Sequence, residues 1–143
     1  MQSWGFKCTC SLCTASTDIR AESDVRRRRV DKILGGATAA AGSPEYKNKT
    51  EHIRAAMVEL EEIARAEGLL AQLGDFWRIL ADACLKAGER GLAREVAGRA
   101  LGLMRSYAGW DSLRAEGVRG VLKRAEREEE EAVAGRVGTQ EGL

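Results

Sequence analysis

Three of the four cysteines, Cys8, Cys10 and Cys13, fall within six positions. Thiolates are soft donors, and zinc takes four ligands in a tetrahedron at about 2.3 Å. A Cys-x-Cys-x2-Cys spacing puts three thiols on one tight turn and supplies three corners. The fourth must come from elsewhere. His52 and Cys84 are the only other soft ligands in the chain. His52 follows Glu51 at a polar helix start and reads as a surface residue. Cys84 falls on an apolar helix face, where a lone cysteine behaves as a small hydrophobe. A water, His52 or a second chain remain as ways to complete the site. Residues 1–7 lack the charged-then-hydrophobic layout of a secretory leader, so a tight thiol cluster reads as a metal site rather than a disulfide framework. The compartment expected is a reducing one, nucleus or cytoplasm.

The elements that must carry this turn are helices. Of the 143 residues, 44% are apolar and 31% charged, with 5% aromatic and a single proline. Ala, Leu, Glu and Arg dominate, which favours helix and argues against a β-sandwich or barrel. The net charge of +1, from 23 basic and 22 acidic residues, fits neither a globally basic nucleic-acid binder nor an acidic solvating tail. No apolar run approaches the ~18 residues of a membrane span.

We therefore expect an all-α chain: an antiparallel helical bundle preceded by a short irregular Cys-rich knuckle. Residues 1–16 form the knuckle. Residues 17–36 read as a connecting helix, capped by Asp18 or Ser23, with Ile19, Val25, Val30, Ile33 and Leu34 apolar and Gly35-Gly36 as its stop. Small and polar residues 37–47 read as a linker. The helical period returns over 48–134, with Asn48 or Thr50 as a cap and Gly68, Gly88 and Gly109 as breaks. Asp111 is the expected cap of the last helix, which should fray near Glu128–Glu131 because acidic side chains late in a helix oppose its dipole. Residues 135–143 read as a flexible tail. Trp77, Leu80, Ala81, Gly88, Ala93, Ala100 and Leu101 follow a spacing like that of the tetratricopeptide repeat, a helix-turn-helix unit of about 34 residues.

Other clusters have simpler readings. Arg26–Arg29 circle most of a helix turn and cannot form one flat basic face. Asp24 and Asp31 are near enough to pair with them, so a solvated helix is favoured over a nucleic-acid contact. Trp77 with Phe76 and Leu80 can line a peptide groove or, as is commoner for aromatics at helical spacing, fill the core.

The run Trp4-Gly5-Phe6-Lys7-Cys8-Thr9-Cys10-Ser11-Leu12-Cys13 resembles the post-SET segment of SET-domain protein-lysine methyltransferases of the fungal and SET-MYND-like kind. Ser23-Asp24-Val25-Arg26-Arg27 is similar to the helix that follows in them, and residues 48–127 fit their tetratricopeptide-like C-terminal region. The resemblance implies that Cys8, Cys10 and Cys13 bind zinc with a fourth cysteine from the SET domain. It implies that Phe6 and Trp4 line the S-adenosylmethionine and lysine pockets. Partners would be a SET domain and a histone or other lysine-bearing protein. The chain contains no Asn-His-x-Cys and no Gly-Glu-Glu-Leu leading to a tyrosine, so the resemblance implies the C-terminal part of such a protein, not catalytic alone. The alternatives are a non-catalytic helical-repeat module that binds a protein partner, and a small stand-alone zinc protein.

Overall fold

The computed structural model describes residues 7–109 and 112–140; Trp4, Phe6 and Asp111 lie outside them. Among the described residues every regular element is a helix: α1 (Thr17–Gly42), α2 (Lys49–Glu67), α3 (Leu70–Lys86), α4 (Arg90–Tyr107) and α5 (Leu113–Gln140). No helix is long and apolar enough to cross a membrane.

The turns between helices are short, so sequence neighbours run antiparallel. Gly68 closes α2 at φ 67° and Gly88 follows α3 at φ 80°, left-handed positions where a side chain would be strained. Each helix packs on the next, and α3 also touches both α1 and α5. Ion pairs fix the directions. Arg26 and Arg29 of α1 reach Glu67 and Glu59 of α2, as antiparallel helices require. Arg114 and Arg124 of α5 reach Asp75 and Asp82 of α3, as parallel ones do.

The core follows from the helical period. Ile53, Met57, Leu60 and Ala64 of α2, Leu73, Trp77, Leu80, Ala81 and Cys84 of α3, and Ala93, Val96, Ala97 and Ala100 of α4 all belong to one buried cluster. Small residues let α3 and α4 approach closely. A Cβ placed on Gly74 would meet Met104 Cγ at 3.1 Å. Trp77 is 5% exposed, so it belongs to the core and does not line a surface groove, and Phe76 is half-buried against it.

The first helix departs from expectation at both ends. Its cap is Ser16, whose Oγ accepts the Ile19 N–H at 3.4 Å, rather than Asp18 or Ser23. It does not stop at Gly35-Gly36 but runs to Gly42, so residues 37–42 are helix and only 43–48 connect to α2. The cause is packing. Ala37, Ala40 and Ala41 continue the buried stripe of Val30 and Ile33. That burial outweighs the helix penalty of two glycines, about 1 kcal/mol each. Ile19 and Val25, expected in that stripe, are exposed.

A Cβ on Gly35 or Gly36 would meet nothing within 4 Å. Gly35→Ala and Gly36→Ala are therefore expected to stabilise the fold by up to about 1 kcal/mol each, read as a raised midpoint in urea. Destabilisation would mean that the helix stops there.

At the other end, α5 does not fray at Glu128–Glu131. Arg90 Nε meets Glu128 Oε2 at 3.4 Å and Arg94 Nη1 meets Glu129 Oε2 at 2.7 Å, offsetting the acidic run. Residues 135–140, expected as tail, are helical, while 141–143 lie outside the described residues.

The Arg26–Arg29 run is solvated but also structural. Its carboxylate partners are not Asp24 and Asp31. Arg26 and Arg27 both bond Glu67, Arg29 bonds Glu59, and Arg28 Nε donates to the Asp24 carbonyl at 3.2 Å. The partners come from α2 because α1 lies antiparallel along it. Glu67 ends α2, where its charge opposes the helix dipole and two guanidiniums compensate. Its side chain is 3% exposed. Burial pushes its carboxyl up. Bonds from the buried Ser23 hydroxyl, Arg26 and Arg27 outweigh this and hold it below the usual value of 4.5.

A depressed carboxyl stabilises the fold above its unfolded pKa, and that stabilisation is lost as pH falls through the folded one. Glu67→Gln is expected to cost about 2 kcal/mol at pH 7, after discount for the half-exposed arginines. It should also flatten the acid limb of stability below pH 4.5. Urea melts at pH 7 and pH 3.5 check both. A wild-type-like acid limb would count against the assignment.

Candidate metal centre

Residues 7–16 form no regular element and lead directly into α1. Within them the chain makes one tight turn. The Thr14 N–H donates to the Cys10 carbonyl at 3.0 Å and the Ala15 N–H to the Leu12 carbonyl at 3.2 Å. The Thr14 hydroxyl also donates to the Cys10 carbonyl, at 2.9 Å. This folding of the backbone brings the cysteines together. The sulfurs of Cys8, Cys10 and Cys13 all lie within 4.8 Å of one another, and all three residues are exposed. Thiolates around a zinc ion are about 3.8 Å apart, so small side-chain rotations suffice for three to share an ion.

The cluster has its own polarity. The Cys13 N–H points at Cys10 Sγ at 3.4 Å. That bond, with hydrogen bonds from the Cys8 and Cys13 thiols, holds the Cys10 thiol down at about 7. Cys13 is the counterpart: its hydrogen bond to Cys10 first, and to Cys8 second, holds its proton and pushes its own value up to about 11. A cation entering the cluster must displace the thiol protons.

The turn lies against the rest of the fold. Ser11, Leu12 and Ala15 line an open groove of about 470 Å³ with Ile19, Arg26 and Glu67. The Glu67 network therefore holds together the helix ends beside the cysteines. The three exposed cysteines would suit a zinc ion in donor type and spacing.

Neither other soft ligand joins them. His52 Nδ1 is 3.0 Å from Tyr46 Oη, with the two rings edge to face. It belongs to the start of α2 and is not part of the thiol cluster. Cys84 is fully buried in α3, and burial, then the nearby Glu89, pushes its thiol up to about 11. Among the described residues, no Asp, Glu or His joins the three cysteines.

Sequence reasoning read Ser23 as a candidate helix cap and missed Glu67 and the bond between the two, which braces the helix ends beside the turn. Their pairing spans 44 positions, and no local pattern marks it. No family model, no curated protein and no solved structure matches the chain.

Proposed function

We infer that the chain is the metal-binding, helical C-terminal part of a SET-domain protein-lysine methyltransferase-like protein. The observation that carries this reading is the gathering of Cys8, Cys10 and Cys13 on one exposed turn just ahead of a helical domain. In this reading the three thiolates hold a structural zinc whose fourth ligand is a cysteine of the catalytic domain. Zinc then pins the turn against that domain. Phe6 and Trp4, directly before it, close the S-adenosylmethionine and lysine pockets, and the helical part limits access for a histone or other lysine-bearing protein. The chain alone transfers no methyl group.

Two observations test it. The genomic sequence in frame upstream of Met1 should encode an Asn-His-x-Cys motif; an in-frame stop or unrelated sequence there would contradict the reading. The purified chain should transfer no methyl group from S-adenosylmethionine to a lysine peptide, and detectable transfer would overturn the claim that it is inactive alone.

A second reading, a helical-repeat module that binds a protein partner, is supported by the contact of α3 with both α1 and α5. That pattern belongs to stacked helical hairpins. A groove floored by Trp77 does not support it, because Trp77 is core.

A further inference from the structure

A tetrahedral ion needs a fourth ligand that the described residues do not bring to the cysteine turn, and the three sulfurs face solvent. Other ions need only three. A trivalent thiophile with a lone pair binds three sulfurs as a pyramid, and the lone pair takes the remaining direction. The open side that leaves zinc short of a ligand is where such a lone pair belongs.

We propose that Cys8, Cys10 and Cys13 form a complete three-sulfur site for trivalent inorganic arsenic, able to displace zinc from this chain. This rests on reading the turn as a metal site and goes beyond it by naming an ion whose geometry the turn satisfies unaided.

The chemistry balances without an oxidant. Arsenous acid, As(OH)3, meets three thiols; three As–O bonds break and three As–S bonds form. Each thiol proton leaves with a hydroxide as water, so three waters are released and arsenic stays trivalent. The product is neutral, whereas zinc on three thiolates keeps a negative charge that must be balanced at an exposed site. The turn is already closed by the Thr14 to Cys10 bonds, so little chain ordering remains. Cys84 is excluded by its complete burial.

The test uses the reduced full chain and arsenous acid. Native mass spectrometry should show one arsenic per chain with the loss of three hydrogens. Zinc-loaded chain should release its zinc to a chromophoric chelator as arsenous acid is added. Cys8→Ser, Cys10→Ser and Cys13→Ser should each abolish the three-sulfur adduct, while Cys84→Ala should keep it. If Cys84→Ala fails to fold, alkylation of the wild-type chain after arsenite treatment gives the same answer: Cys8, Cys10 and Cys13 protected, Cys84 modified on unfolding.

Zinc binding at one per chain without a three-sulfur arsenic adduct overturns this proposal and leaves the metal reading intact. Arsenic binding without zinc binding supports the three-sulfur arsenic site but overturns the displacement of zinc and, with it, the zinc reading. Binding of neither removes both.

Discussion

Replacing Cys10 with serine is expected to lower zinc affinity by more than about 100-fold. Loss of an outer partner of a metal ligand costs about 10–100-fold, and in the proposed site Cys10 would be a direct ligand. It is also the centre of the turn: its sulfur accepts the Cys13 N–H and its carbonyl accepts from Thr14. Serine keeps the carbonyl bonds, so the turn should persist while the donor is lost. Helicity should not change, because every buried core residue belongs to the helices and none to the turn. Competition against a chelator of known affinity reads the first expectation and circular dichroism the second. An unchanged affinity would mean that zinc is held elsewhere, and Cys84→Ala is the control that should leave it unchanged.

The second large effect concerns the helical part. Trp77→Ala is expected to destabilise the fold by about 4 kcal/mol, the range for removing a large buried aromatic. Against a typical domain stability of about 5–15 kcal/mol, that is a severe loss. Trp77→Phe should differ sharply. The Trp77 indole N–H is buried and has no hydrogen-bond partner among the described residues. An unmet buried donor costs about 1–3 kcal/mol, so phenylalanine removes a penalty while it loses some packing. The net change should stay within about 1 kcal/mol of wild type. Urea unfolding of the two variants checks both values. A loss below about 1 kcal/mol for Trp77→Ala would place the side chain at the surface.

The core of this fold was legible because helical periodicity reports one buried face. Ile53, Met57 and Leu60, or Trp77, Leu80, Ala81 and Cys84, recur at helical spacing and are buried together. Turns were legible where glycine is required by backbone conformation, as at Gly68 and Gly88. Gly35-Gly36 carries the same local signal with the opposite outcome. Its helical state is decided by Ala37, Ala40 and Ala41 packing beyond it, and a glycine pair carries no record of that. The partners of Arg26–Arg29 were misplaced for a related reason. Nearby aspartates in sequence compete with glutamates that arrive from α2 only once the chain has folded. At the cysteine turn, the three thiols and their spacing could be read directly. Their convergence depends on the backbone bonds of Thr14 and Ala15, which a spacing does not state.

The central claim is that one turn of this chain holds a metal ion through Cys8, Cys10 and Cys13. The most direct test is to purify the chain under reducing conditions with zinc supplied, and to count bound zinc by elemental analysis against protein concentration. The same count is then made for the triple variant Cys8→Ser, Cys10→Ser, Cys13→Ser. One zinc per wild-type chain and none per triple-variant chain is the expected result. No zinc on the wild-type chain, or the same content in both proteins, would contradict it.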